Sequence, residues 1–351
     1  MEMEGKYLKV RTCSDIKAFC RQNHILEEEF NNPVIIYGDM SGYAGYLLGG
    51  KKFFNSEVII KEGVKNCEFL FHNCSKFNQP VIIPSTVKNC NSMFIGCTAF
   101  NQAINIPGTV YSCDMMFRSC TSLNSPITLN EGTDSCSAIF MNCTEFNQPV
   151  IIPSTIRGCV QMFHSCEKFN QPVTLSENND DCTEMFMRCY SFNQPITIPE
   201  KVINCHSMFC QCKKFNQQVI LPENLECCDQ MFIYCTAFNQ PIIIPMHVPI
   251  TDCIEMFDYC DSLDPANILY LNNGPNSCVV WSGRLGRIRD FYTIRVCIND
   301  KYYSNSILCD ENIKNIKPSE VYYDKYDNSL KFNHKLTTKR LAKMLLNANL
   351  Y

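Results

Sequence analysis

Nine times along this chain two cysteines stand with six residues between them, and the first of each pair falls at 67, 90, 113, 136, 159, 182, 205, 228 and 253. The step between pairs is 23 residues until the last, which is 25. Met-Phe lies inside most pairs, as at Met93-Phe94, Met162-Phe163, Met185-Phe186 and Met208-Phe209. Phe-Asn-Gln-Pro often follows, as at Phe77 to Pro80 and Phe146 to Pro149. A fixed period of this length is the mark of a stacked repeat. One unit cannot bury its apolar face alone, and the neighbouring units supply the cover.

The Phe-Asn register extends beyond the cysteine pairs. It runs from Phe30 and Phe54 through Phe77, Phe100, Leu123, Phe146, Phe169, Phe192, Phe215 and Phe238 to a worn copy at Leu263. Within a unit, Val81-Ile82-Ile83-Pro84 and Ile242-Ile243-Ile244-Pro245 predict a short β-branched strand whose following residue cannot donate to a ladder. Cys90, Met93, Phe94 and Cys97 recur at spacings of three and four, which predicts a short helical or 3₁₀ segment facing inward. Phe100 then enters the core, while Asn101 and Gln102 bond backbone at the turn back to the strand. The expected fold is a repeat solenoid with a 23-residue period, short parallel strands along one side and short helical or 3₁₀ turns along another.

Three segments follow from this register. Residues 1–29 form an N-terminal cap containing a helix, 30–271 a solenoid of about ten or eleven rungs, and 272–351 a small α+β cap or anchor module. In the last, Tyr292 to Ile298 alternates like a strand, and Val321 to Phe332 reads as a hairpin around Asp327-Asn328. Thr337 or Thr338 caps a final helix through Leu346. From Ile313 to Tyr351 eight Lys or Arg stand against three acids, so Lys339, Arg340 and Lys343 are a possible anchor, set against the plainer reading of a solvated helix face.

Charge and motifs exclude several functions. The net charge of −4 implies neither a nucleic acid nor a membrane partner, and no apolar stretch is long enough to span a bilayer. Met1 to Tyr7 lacks a basic flank and apolar run, so no secretory signal is expected, and the location predicted is the cytoplasm or a virus or phage particle. The 25 cysteines are an odd number, and eighteen sit in two repeat positions. Equivalent side chains about 4.8 Å apart slightly exceed the Cβ–Cβ distance of a disulfide, so thiols are expected. Cys210-x-Cys212 and Cys227-Cys228 lack the spacing of a zinc knuckle, which leaves core thiols and an exposed Cys210. His72 and His164 share a repeat position expected to face solvent, not one poised for acid–base work. Gly283-Arg284-Leu285-Gly286-Arg287 is a turn without the context of a phosphate loop. No enzyme, cofactor, metal site or small-molecule substrate is expected.

Val87, Cys90, Met93, Phe94, Phe100, Asn101 and Gln102 carry a resemblance to the BspA-like leucine-rich repeat family, in the branch with Met-Phe and Phe-Asn-Gln in 23-residue repeats. It covers about residues 30 to 270. Cys replaces the apolar residue that opens the turn, and Ile-Pro replaces the Trp-Asp often found at the strand. The resemblance implies a fold of leucine-rich-repeat type and a binding or structural role without catalytic residues. The repeat core would be Cys90, Met93, Phe94, Cys97 and Phe100, with Cys159, Met162, Phe163, Cys166 and Phe169 three repeats on. The expected function is a non-catalytic scaffold for protein–protein interaction, as a structural component of a phage or large-virus particle. The alternative is a cell-surface adhesin or host-interaction protein.

Overall fold

The computed structural model describes residues 2–40, 47–240, 242–245, 248, 253, 255–263 and 268–270, with four short strands farther on. The chain divides into two compact units. The first comprises Met1–Asn179 with Met185–Phe192, the second Asp180–Glu184 with Asn193–Tyr351.

The first unit opens with a hairpin, β1 (Met3–Glu4) antiparallel to β2 (Tyr7–Val10), followed by α1 (Cys13–Gln22) and a 3₁₀ turn at Glu27–Glu29. The Asp15 carboxylate accepts from the Arg11 and Thr12 N–H groups and fixes the start of α1. Its apolar face buries Ile16, Phe19 and Cys20, and Phe19 meets Phe30 edge-on at 5.8 Å. The sequence predicts this helix but not the hairpin. β2 pairs in parallel with β3 (Val34–Ile36), and β3 with β4 (Val58–Ile60), so the N-terminal segment adds strands to the repeat sheet.

Two further parallel pairs follow: β5 (Ile104–Ile106) with β6 (Ile127–Leu129), and in the second unit β7 (Ile242–Ile244) with β8 (Ile268–Tyr270). Segments 81–83, 150–152 and 173–175 in the first unit, and 196–198 and 219–221 in the second, carry no strand. Proline explains the difference. At β3 and β4 the Lys61 N–H donates to the Ile36 carbonyl at 2.9 Å. Positions 84, 107, 153, 199, 222 and 245, equivalent to Lys61, are prolines and have no N–H. The parallel laddered pairs are those whose second strand is followed by Tyr37, Lys61, Asn130 or Leu271, none of them proline. Ser176 also escapes proline, but its N–H is taken by Asn179 Oδ1 at 2.7 Å.

The segments between paired cysteines are not helical or 3₁₀, contrary to the sequence expectation. In each, the second residue after the first cysteine and the residue before the second cysteine have positive φ, as at Ser92 (54°) and Gly96 (74°) or Gln161 (55°) and Ser165 (59°). Left-handed residues at these places make a run of linked turns. Cys67, Phe69, Phe71 and Asn73 turn their N–H groups to the next rung, reaching the carbonyls of Asn89, Asn91, Met93 and Ile95 at 2.8, 3.0, 2.9 and 2.7 Å. The residues between close turns locally, Leu70 to Cys67 and Cys74 to Phe71. A left-handed non-glycine residue costs about 1–2 kcal/mol. Here that strain is offset because every second N–H bonds the neighbouring rung, where a helix would bond only itself.

The core of each unit is two parallel rows of stacked phenylalanines. One row holds Phe54, Phe77 and Phe100, with ring centroids 5.7 and 6.1 Å apart, and the other Phe71, Phe94 and Phe117, at 5.1 and 5.5 Å. The second unit repeats this with Phe215–Phe238 at 6.1 Å and Phe209–Phe232 at 5.5 Å. Beyond residue 271 the described strands are β9 (Arg295–Ile298) with β10 (Lys301–Ser304) and β11 (Tyr322–Asp324) with β12 (Ser329–Lys331), both antiparallel. The helix expected through Leu346 lies outside the described residues.

Candidate functional site

Cys90, Met93, Phe94, Cys97, Phe100, Cys159, Met162, Phe163, Cys166 and Phe169 are all fully buried. Lys339, Arg340 and Lys343 lie outside the described residues. The second cysteine of each pair has a task that the sequence does not reveal. The thiol of Cys97 donates to the Phe71 carbonyl at 3.0 Å, Cys120 to Phe94 at 3.1 Å, Cys143 to Phe117 at 3.0 Å and Cys166 to Phe140 at 3.0 Å. In the second unit Cys235 reaches Phe209 at 2.9 Å. Each thiol is a second donor to a buried carbonyl of the preceding rung that already accepts a backbone N–H, as Phe71 does from Cys74 at 2.9 Å. Burial pushes the Cys74 and Cys260 thiols up to about 12, so they are donors at neutral pH. Cys97→Ala is therefore expected to cost about 2 kcal/mol, from a small cavity and the lost thiol–carbonyl bond, and Cys97→Ser less than half of that. Urea denaturation of the two variants decides it, since equal losses would leave no role for the donor.

Asparagine builds a second ladder, bonding backbone as expected, and its bonds run between rungs. Asn55 Oδ1 accepts from the Asn78 N–H at 2.8 Å, Asn78 Oδ1 from Asn101 at 2.9 Å, and Asn101 Oδ1 from Asn124 at 2.8 Å. The Gln102 amide donates to the same Asn78 oxygen at 3.0 Å. Asn193, Asn216 and Asn239 continue this pattern in the second unit.

From Ile82 to Ile220 the middle side chain of each strand position faces outward, whereas Ile35 in β3 is buried and Ile59 in β4 half-buried. In the first unit this row includes Ile82, Asn105, Thr128, Ile151 and Thr174, all exposed, with Ile82 and Ile151 at 84% and 85%. Thr197 and Ile220 hold the place in the second unit. The run Val81-Ile82-Ile83 predicts a short strand but does not by itself separate the two faces of that strand. The signal that separates its middle residue is the alternation at other rungs, Ile104-Asn105-Ile106 and Ile127-Thr128-Leu129.

The histidines and spare cysteines are more enclosed than expected. His164 is buried, with Nδ1 at 3.1 Å from Ser165 Oγ, His72 is half-buried, and Cys210 is buried, not exposed. His206 is 3.3 Å through Nε2 from Ser207 Oγ and 3.5 Å through Nδ1 from Asp229 Oδ2, the order of a hydrolytic triad. Ser207 is only 2% exposed, however, and its hydroxyl also lies 3.4 Å from Gln230 Oε1. A substrate carbonyl has no approach to that oxygen. Among the described residues no group of three or more His, Cys, Asp or Glu is arranged to hold a metal ion. None of the described helices is long and apolar enough to cross a membrane.

A constant buried core, backbone ladders joining rung to rung and one variable outward residue per unit define a repeat solenoid. The family described as "Mycoplasma protein of unknown function, DUF285" matches at residues 59–152, 131–221 and 180–269, more than half of the chain. The chain belongs to this family. Among solved structures it is similar to a leucine-rich repeat protein from Bacteroides ovatus, with 18% identity over 69% of this chain and 67% of that one and a TM-score of 0.47. It is also similar to a leucine rich cell surface protein from Faecalibacterium prausnitzii, with 17% identity over 77% and 85% and a TM-score of 0.40. The T. pallidum leucine-rich repeat protein shows 19% identity over 52% and 77%, with a TM-score of 0.35. No curated protein matches the chain.

Proposed function

We propose that this chain is a non-catalytic scaffold that binds other proteins. Its repeats would be of BspA-like leucine-rich-repeat type with a 23-residue period, at 30–271 between a cap at 1–29 and a small α+β module at 272–351. The observation that carries the reading is the outward row. Core and ladder positions repeat from rung to rung, while this row changes among isoleucine, threonine and asparagine and exposes Ile82 and Ile151 almost completely. An exposed side chain that does nothing for the fold is free to serve a partner. The row is uncharged, so recognition would rest on shape, apolar contact and hydrogen bonds, not on charge steering.

Two settings suit such a scaffold: a component of a phage or large-virus particle, and a cell-surface adhesin. Sedimentation of native lysate with mass spectrometry, beside surface labelling of intact cells, separates them. Fixed-ratio migration with shell proteins identifies the first, and labelling of intact cells the second. Migration as a small unaccompanied species in unlabelled form overturns the scaffold reading. The double variant Ile82→Glu, Ile151→Glu is expected to change stability by less than about 0.5 kcal/mol while abolishing co-migration. Lost stability would instead place both side chains in the fold.

A further inference from the structure

We infer that Cys228 and Cys253 form a disulfide when the chain folds in an oxidising compartment. Their Sγ atoms lie 3.2 Å apart, against about 2.05 Å in a disulfide. The two cysteines occupy the same place in adjacent rungs of the second unit, across the single 25-residue step of the repeat. Those rungs are held in register close by. The Phe232 N–H donates to Met256 at 2.9 Å and the Tyr234 N–H to Asp258 at 2.8 Å. Phe232 stacks on Phe257 at 5.6 Å, and Tyr234 on Tyr259 at 4.2 Å. In-register parallel rungs stand about 4.8 Å apart, inside the Cα–Cα window of about 4.4–6.8 Å that a disulfide accepts. Rung spacing alone argues against bridging, but here the side chains have turned toward each other and closed most of the gap.

The second cysteines of the same rungs do not compete. Cys235 and Cys260 direct their thiols at the carbonyls of Phe209 and Phe232, both at 2.9 Å. Cys228 and Cys253 are buried, so the bond would form before the last rung closes and would then be shielded from reductants. With oxidised glutathione as oxidant, a Cys228 or Cys253 thiolate attacks the glutathione disulfide and releases one glutathione. The other thiolate resolves the mixed disulfide and releases the second. Two protein S–H bonds are lost and one S–S bond forms. The two electrons and two protons leave with two reduced glutathione molecules.

The test is refolding of the full-length reduced chain in a glutathione redox buffer, alkylation in denaturant, and peptide mapping without reduction. Residues 215–283 contain no Lys or Arg, so a protease that cuts after aromatic residues must separate the two cysteines. The expected result is a dominant cystine peptide joining Cys228 to Cys253, which disappears in Cys253→Ser and persists in Cys235→Ser. Fragmentation within the linked peptide distinguishes Cys228 from the adjacent Cys227. Refolded wild-type chain with both thiols alkylated would overturn the inference, as would a linkage at Cys227 or a scatter of pairs along the column. The wild-type map stands even where a variant fails to fold.

Discussion

Raising the pH from 8 to 10 is expected to unfold the first unit in a narrow transition. Burial raises the thiols of Cys74, Cys97, Cys113, Cys120, Cys136, Cys143, Cys166 and Cys189 above their ordinary value of 9.0. An unfolded chain releases these protons near pH 9, whereas the folded unit keeps them. Above pH 9 the unfolded state therefore binds fewer protons, and stability falls as pH rises. The contribution is intact below pH 9 and is lost progressively toward the folded value, about 12 for Cys74. At pH 10 each thiol with an unfolded value near 9 favours unfolding by about 1.4 kcal/mol. Eight together approach about 11 kcal/mol, comparable to the whole stability of an ordinary domain, about 5–15 kcal/mol. Near-ultraviolet circular dichroism of the phenylalanine stacks, recorded with thiolate absorbance in the presence of reductant, should show both signals change together. Thiols ionising near pH 9 with the stacks intact would mean that the column is open to water.

How much of this was legible follows from which forces leave a mark on sequence. The two phenylalanine rows and the cysteine pairs repeat because packing acts on side chains, and side chains are what a period records. The conformation between the cysteines was not legible, because spacings of three and four serve a helix and a run of linked turns equally well. The left-handed positions that decide between them hold Ser92, Gln161, Glu184, Arg188 and Tyr234, residues with no preference for that region. Only Gly96, Asn73 and Asn142 hinted at it. β2 was invisible for another reason: it pairs at about one repeat step, as the other strands do, but it carries neither the cysteine nor the Phe-Asn mark. The prolines were read correctly as residues without an N–H. Their effect is to remove whole ladders, which depends on what lies across the rung. The outward row was hidden inside apolar runs, and the carbonyls that receive the thiols have no side chain to announce them.

Gly108→Ser is expected to destabilise the first unit by about 3 kcal/mol or more, although serine occupies the equivalent positions at Ser85 and Ser154. A Cβ on Gly108 would stand 1.9 Å from the Glu131 carbonyl oxygen. Backbone cannot swing aside as a side-chain end does. The facing Gly132, at φ +102°, would itself place a Cβ 2.3 Å from the Gly108 oxygen. The close approach sits just after β5 and β6, at a rung where Asn130 replaces proline. Asn130 Nδ2 donates to Asn105 Oδ1 at 2.8 Å and to the Ile106 carbonyl at 2.6 Å, which draws the two turns together. Ser85→Gly, by contrast, should cost less than about 1 kcal/mol, the usual flexibility of glycine. If the pairing beside Asn130 creates the crowding, Asn130→Pro should relax it. Asn130→Pro is expected to be destabilising alone but less so in the Gly108→Ser background, giving a coupling of about 1 kcal/mol or more in a double-mutant cycle. Urea midpoints of the four proteins measure it, and strictly additive losses would detach the glycine pair from the ladder that this account ties it to.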